Sequence, residues 1–576
     1  MRVHRIALAA GLLTLVIAAP AAAQHADLII TGGRVWTGDS ARPQAEAVAV
    51  TGNRISAVGS RAEVMALQGP VTRVIDMPGT FITPGFIDNH THFNSAGALL
   101  LGANLLDVSD EAGLIARVRE ARDRLPPGAW LTGGDWGAYE AWGTGSTGRE
   151  PIRADSPGFR PHRAMIDSIT PQTPVLFNKW DRSAWLANGA ALRAAGAACS
   201  WPGVECEGGT MTGRLTGEAA ARVRRVIPAK PVDLRLVESR AALQHLNELG
   251  VTTIHDNTPP DQMEVFQRLE ANGELTVRIY ARPTLDRWEH LSAVGVRHGF
   301  GSDRLRIGGL KGFVDGIMGN SSAYFYEPYL TTGERGAWRQ QVLDPPGMQE
   351  LILGADAAGH WLQIHAIGDQ AIDTLITMYE HAFRTNPERD RRHRIIHTQV
   401  IAGPEVAARM ARNNLIAEVQ PYHAIDDMRW MEERIGQRAR WAYAFRTLHD
   451  AGVVLSFGSD WPGTNASWYT ANPWHGVYAA VSRQTLDGEP AGGWFPMERV
   501  DVETALRAYT VNNAWAAGEE HIKGMLREGL LADIVVTDRD PFQVPAGQLK
   551  DLRVLITVMD GDIVFRAPGA PVSSGA

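Results

Sequence analysis

Cysteine is nearly absent: 576 residues contain only Cys199 and Cys206. That excludes a fold built on many disulfides. The Trp201-Pro202-Gly203 between them reads as a turn. In an exported chain the pair is expected to close a small disulfide loop, since nothing nearby supplies the third and fourth ligands of a metal site. Excess positive charge is also missing, with 56 Lys and Arg against 64 Asp and Glu and a formal net charge of −8. This leaves no electrostatic footprint for nucleic acid. After residue 19 no uninterrupted apolar run is long enough to cross a bilayer. Neither a Gly-x-Ser-x-Gly nucleophile elbow nor a glycine-rich phosphate loop occurs.

What is present begins with a targeting signal. Arg2 and Arg5 precede the apolar run 6–19, and Ala21-Ala22-Ala23 before Gln24 has the small-residue pattern of a cleavage site. Residues 1–23 are therefore expected to be a signal peptide, with the mature chain periplasmic or secreted and free of the membrane. No cysteine lies near the segment to carry a lipid anchor. Its removal takes away two arginines and no acids, which leaves the chain more acidic.

The densest signal is Phe81-Ile82-Thr83-Pro84-Gly85-Phe86-Ile87-Asp88-Asn89-His90-Thr91-His92. Side chains alternate faces along a strand, so His90 and His92 point the same way. Two imidazoles at a strand end can hold one metal ion. Residues 24–83 and 520–570 both read as short strands with Gly-Asn and Gly-Gly turns, which suggests one composite β-domain built from both ends. Between them, strand-like runs alternate with helical patterns, the sign of parallel α/β architecture. Runs at 251–255, 305–311, 361–365, 394–397, 415–419 and 453–460 read as strands, and 238–250 as a helix closed by glycine. In a (β/α)₈ barrel the C-terminal strand ends form the active-site face. The segment from about 100 to 235, rich in Gly, Pro and Trp (130, 136, 142, 180, 185 and 201), breaks the rhythm and reads as an insertion after the first barrel strand. Most of these tryptophans are expected to pack its own small core. Residues 84–519 would form the barrel, and 571–576 a loose tail.

Successive strand ends carry His90, His92, Lys311, His365, His397 and Asp460. Imidazoles and carboxylates suit zinc and related divalent ions. His393-Arg394-Ile395-Ile396-His397 has the zinc-helix spacing, but Arg394 stands where metalloprotease chemistry requires glutamate.

The stretch from Pro84 to His92 resembles the opening motif of the amidohydrolase superfamily. Lys311-Gly312-Phe313-Val314-Asp315-Gly316, His365-Ala366-Ile367-Gly368-Asp369 and Gly458-Ser459-Asp460-Trp461-Pro462 resemble its amidohydrolase-3 branch, which includes proteins like N-substituted formamide deformylase. Thr510-Val511-Asn512-Asn513-Ala514 and the run 529–536 are similar to the family's closing pattern. The resemblance covers nearly all of the mature chain. It implies a (β/α)₈ TIM-type barrel with a composite β-sandwich domain. It implies one or two divalent metal ions, zinc first, held by His90 and His92 on one side and His365 and His397 on the other, with a carboxylated Lys311 between them. The plain alternative for Lys311 is an ion pair, for instance with Asp315, in a mononuclear enzyme. Asp460 would touch a metal and handle the proton as metal-activated water attacks a carbonyl.

The implied function is an exported metal-dependent amidohydrolase cleaving an amide-type C–N bond of a small molecule. The alternatives are a deaminase or other carbonyl-bond hydrolase on the same site and, from another class, a non-catalytic metal or small-molecule binder. A homo-oligomer is compatible with the sequence. Second-tier substrate contacts are His255 and Asp256 at one strand end, and Tyr422 and His423 after another. Arg182, in Trp180-Asp181-Arg182, stands where many relatives have histidine. It could bind a substrate carboxylate or carbonyl, or make an internal salt bridge.

Overall fold

The computed structural model describes residues 25–570 apart from 107, 127, 138–158, 180–181, 345 and 464–469. The expected signal peptide 1–23 and tail 571–576 lie outside the described residues, as do Trp142, Trp180 and Asp181. No described helix is long and apolar enough to cross a membrane.

Both ends of the chain enter one eight-stranded sheet. Its order is Asp562–Arg566, Val554–Met559, Ile534–Thr537, Phe81–Pro84, Leu28–Trp36, Gln44–Thr51 and Arg54–Gly59, with Arg73–Asp76 also paired to Leu28–Trp36. Alternating β-branched residues supply its apolar side: Ile30, Val48 and Val50 pack against Ile82, Ile534, Val536, Ile556 and Val558. The central join is antiparallel, Phe81–Pro84 against Ile534–Thr537, so the two ends are pinned together.

The middle of the chain is parallel. Phe86–Thr91, Val251–Asn257, Arg278–Arg282 and Leu305–Ile307 pair in that order. Leu310–Phe313, Leu362–Ala366, Arg394–His397, Ile416–Val419 and Leu455–Phe457 form a second parallel sheet. At one junction Gly308 N donates to Ala281 O (2.6 Å) and Lys311 N to Pro283 O (2.8 Å). At the other, Asp460 N donates to His90 O (2.8 Å) and His92 N to Trp461 O (2.7 Å). The run 305–311 is thus two short strands, because Gly308-Gly309 interrupts the pairing. Likewise only Leu455–Phe457 of 453–460 is strand; it ends before Gly458, and Asp460 is left-handed (φ 58°).

Residues between the first and second parallel strands build a separate five-stranded sheet with its own apolar clusters. Trp136 is buried there, and Trp130 and Trp185 pack against its second cluster. Trp201 lies under the Arg222 guanidinium. Cys199 and Cys206 form a disulfide in this segment. The helix after the insertion is longer than its sequence pattern: it spans Val232–Glu248, before Gly250 turns at φ 77°.

Candidate metal centre

The site grows from the meeting of two strand ends. Ser459 N donates to Asp88 Oδ1 (2.9 Å) and Asn89 Nδ2 to Ser456 Oγ (2.8 Å). These bonds, with the two backbone bonds at His90 and His92, bring Asp460 across from both histidines. Its Oδ1 lies 3.1 Å from His92 Nε2 and 3.4 Å from His90 Nε2. His90, His397 and Asp460 each offer one ligand atom within a 4.8 Å span. The His365 ring lies 4.5 Å from that of His397, and the His397 ring 5.3 Å from that of His90. Lys311 Nζ is 3.5 Å from His90 Nε2. All six strand-end groups therefore gather in one place. His90 is closed off (1% exposed) whereas the His92 side chain is 41% exposed, so the pair runs from the interior toward solvent.

The donor set fits a divalent cation. Asn257 Nδ2 sits 3.1 Å from His90 Nε2 and 3.2 Å from His92 Nε2, so both nitrogens turn toward one point. Asn257 Oδ1 is buried without a hydrogen-bond partner beside them. The remaining nitrogens are tied back: His90 Nδ1 to Glu418 Oε1 (2.8 Å), His397 Nδ1 to Gln420 Oε1 (2.7 Å) and His365 Nε2 to Gly316 O (2.9 Å). Such outer contacts orient imidazole ligands.

The charges agree. Burial, reinforced by Lys311 and Arg282, lowers the His90 pKa well below its ordinary value. Burial, with Arg282 nearby, brings the Lys311 amine down to about 7. Burial pushes Asp460 up, but His90, His92 and His397 more than offset this and hold it well below the usual carboxylate range. Asp315 is engaged elsewhere. It accepts from Ile367 N, Gly368 N and Tyr324 N at 3.1, 2.9 and 2.8 Å, so the ion pair considered for Lys311 does not form.

A cavity of about 910 Å³ opens over the centre. Besides the six groups it is lined by Phe313, Met318, Gln399, His423, Asp427 and Trp430, among others. Of the second-tier residues only His423 is among them; its Nε2 lies 3.2 Å from Ser459 O. Asp256 is buried beneath, accepting from Phe93 N (2.7 Å), Thr91 Oγ1 (3.2 Å) and Thr258 Oγ1 (2.7 Å), which fixes the chain around His92. His255 is buried against Tyr280, with Nδ1 2.9 Å from Arg394 NH1. Tyr422 is buried and stacks on His475. Arg182 pairs with buried Asp135, the internal salt bridge among its two alternatives. Asn257, Glu418 and Gln420 were not singled out from the sequence. An acid inside the apolar run 415–419 was the one local hint of Glu418.

Residues 73–565 match the amidohydrolase family. The chain is 32% identical over 539 residues to Protein LONG AFTER FAR-RED 3 of Arabidopsis thaliana, covering 90% of this chain and 88% of that one. It is 28% identical to the N-substituted formamide deformylase of Arthrobacter pascens, covering 95% and 100%. A solved structure of an uncharacterized metal-dependent hydrolase from Pyrococcus furiosus superposes with a TM-score of 0.70 at 25% identity, covering 90% and 100%. The chain belongs to the amidohydrolase family, a metal-dependent hydrolase of carbon–nitrogen bonds with a TIM-barrel-type fold.

Proposed function

We propose that the protein is an exported amidohydrolase that cleaves an amide-type bond of a small N-acyl or N-formyl amine at a two-cation centre. The observation that carries this reading is the convergence of His90, His397 and Asp460 within 4.8 Å, with His92, His365 and Lys311 around them. His90 and His92 would hold one cation, and His365 and His397 the other. Lys311 supports the bridge: its buried amine is brought near neutrality, and a neutral amine can add carbon dioxide, forming an N–C bond and releasing a proton. The resulting carbamate has the oxygens that an ammonium lacks. Divalent cations held there would acidify a water and polarise the substrate carbonyl. Asp460 is placed to take the proton from that water and hand it to the departing nitrogen. The cavity walls hold the substrate and limit bulk water. The small-molecule class follows the C–N chemistry of the family and the formamide relative.

The same reading makes the parallel strands one closed eight-stranded barrel, with Leu305–Ile307 and Leu310–Phe313 as two halves of one stave. The backbone bonds at Gly308, Lys311, Asp460 and His92 support it. The composite β-sandwich of 24–83 with 520–570, the barrel at 84–519 and periplasmic or extracellular residence belong to this proposal.

The test is metal per chain in protein purified with zinc and bicarbonate, beside Lys311→Ala, followed by turnover of N-formyl and N-acyl amines. The expected result is two zinc ions in the parent and a clear loss in the variant. One ion in both would make Lys311 structural and the centre mononuclear. No metal in either would sink the mechanism.

A further inference from the structure

We propose that Glu418 is a positioning residue that makes His90 the strongest imidazole ligand of the centre, so that a cation on His90 is held more tightly than one on His365 and His397. This rests on the metal-centre reading above.

The argument starts from which atom can donate. Glu418 is fully buried and receives Arg282 NH1 on Oε1 (2.8 Å) and Arg394 NH1 on Oε2 (2.9 Å). A carboxylate paired twice with arginine has only lone pairs to offer. The hydrogen between it and His90 therefore belongs to His90 Nδ1, and Nε2 is left with a lone pair for a cation. Gln420 Oε1 and Gly316 O are also acceptors, so they fix the tautomers of His397 and His365 by the same logic. The three acceptors differ in charge. His90 donates to an anion at 2.8 Å and His397 to a neutral amide; His365 donates to a neutral carbonyl at 2.9 Å, with the Asp315 carboxylate farther off at 3.4 Å and already accepting from three backbone amides. Charge-assisted bonds are roughly twice as strong as neutral ones. A carboxylate behind an imidazole also raises the basicity of its metal-binding nitrogen.

Glu418 cannot swing away to relax this contact. Arg282 is held by His255 O (2.8 Å) and Gln363 Oε1 (3.1 Å), and Arg394 by Ala516 O (2.9 Å). Glu418 and both arginine side chains are at 0% exposure. Such a buried ionic cluster contributes little net stability over an apolar core. Its short direct bond to His90, against the 3.4 Å between Asp315 and His365, points to ligand tuning. Glu418 reaches no substrate; it acts through His90.

The test is zinc retention, which needs no turnover. Zinc-loaded protein is dialysed against graded pyridine-2,6-dicarboxylate and metal per chain is counted at each step. The last zinc should leave Glu418→Gln at a chelator strength about 10–100-fold below the parent's. Because that variant leaves two buried guanidinium groups short of counter-charge, His90→Ala, His365→Ala and His397→Ala are measured beside it. His90→Ala should weaken retention of the last zinc by roughly tenfold more than either of the others. An unchanged retention curve for Glu418→Gln, even with a lowered melting temperature of the metal-free protein, overturns the positioning role. Equal losses in the three histidine variants overturn it too, while the metal centre stands. A parent that retains no zinc overturns both.

Discussion

Asp460 holds a left-handed backbone (φ 58°), a conformation that aspartate tolerates better than most residues. That turn swings its carboxylate back over His90 and His92 instead of along the strand. The surrounding imidazoles overcome its burial and keep it ionised, so it can accept a proton at neutral pH. Asp460→Asn keeps the shape and removes the base. With an N-formyl amine as substrate, kcat should fall about 10²–10⁴-fold, the usual worth of a positioned base. KM should change little, and steady-state kinetics read both. A fall under about tenfold would move proton transfer to another group on the cavity wall, such as His423. A binder without turnover would instead keep its ligand affinity and have no kcat to lose.

At the scale of elements, what the sequence revealed and what it hid divide cleanly by distance along the chain. His90, His92, Lys311, His365 and His397 lie at or beside the ends of apolar runs, a local pattern that a parallel α/β rhythm turns into one face. Glu418 acts on a histidine 328 residues away and Asn257 on one 167 residues away, so no local spacing encodes them. Strand ends differ from the apolar pattern where glycine intervenes, at Gly308-Gly309 and Gly458, because apolar periodicity does not register a break in hydrogen bonding. Gly458 also shows why the break is there. A Cβ on it would stand 2.1 Å from Asn89 Oδ1, 2.7 Å from Asp88 Oδ1 and 2.8 Å from His90 N. Two of those atoms belong to buried side chains and the third is backbone, so the strand Phe86–Thr91 would have to move off its neighbour. Gly458→Ala should cost ~1–3 kcal/mol, the range for overpacking, and lower zinc content, because His90 and Asp460 part together. Denaturant titration and metal analysis check the pair of effects; full zinc with parent stability would show that the strands can separate without disturbing the centre.

Across the whole molecule, buried polar groups join the parts. Arg278, on a parallel strand, donates to Asp533 (2.8 and 2.9 Å) and Asp560 (2.8 Å), residues beside strands of the sheet built from both ends. His298 stacks on Trp361 (3.7 Å) and meets Ala517 O (2.9 Å); His475 stacks on Tyr422 (6.0 Å). Burial, the largest influence on each, brings His298, His360, His393 and His475 down to about 4. For His393 it prevails even over the neighbouring Asp356 carboxylate, which pulls the other way. In the unfolded chain the same imidazoles take protons near pH 6.5. Between about 6.5 and about 4 the unfolded state therefore binds more protons at these four groups, and their contribution to stability falls as pH falls, against a smaller opposite contribution from Asp88 and Asp427, which burial raises to about 7. Below about 4 the folded chain protonates as well, and these groups add no further loss. Metal release would superimpose its own acid dependence, so the measurement belongs on metal-free protein. Its melting temperature at a fixed scan rate should drop by several degrees from pH 7 to pH 5, through up to ~1.4 kcal/mol per group for each pH unit. A flat profile over that window would mean that these four sites open to water before the chain unfolds, and that the joins they sit in are looser than their packing suggests.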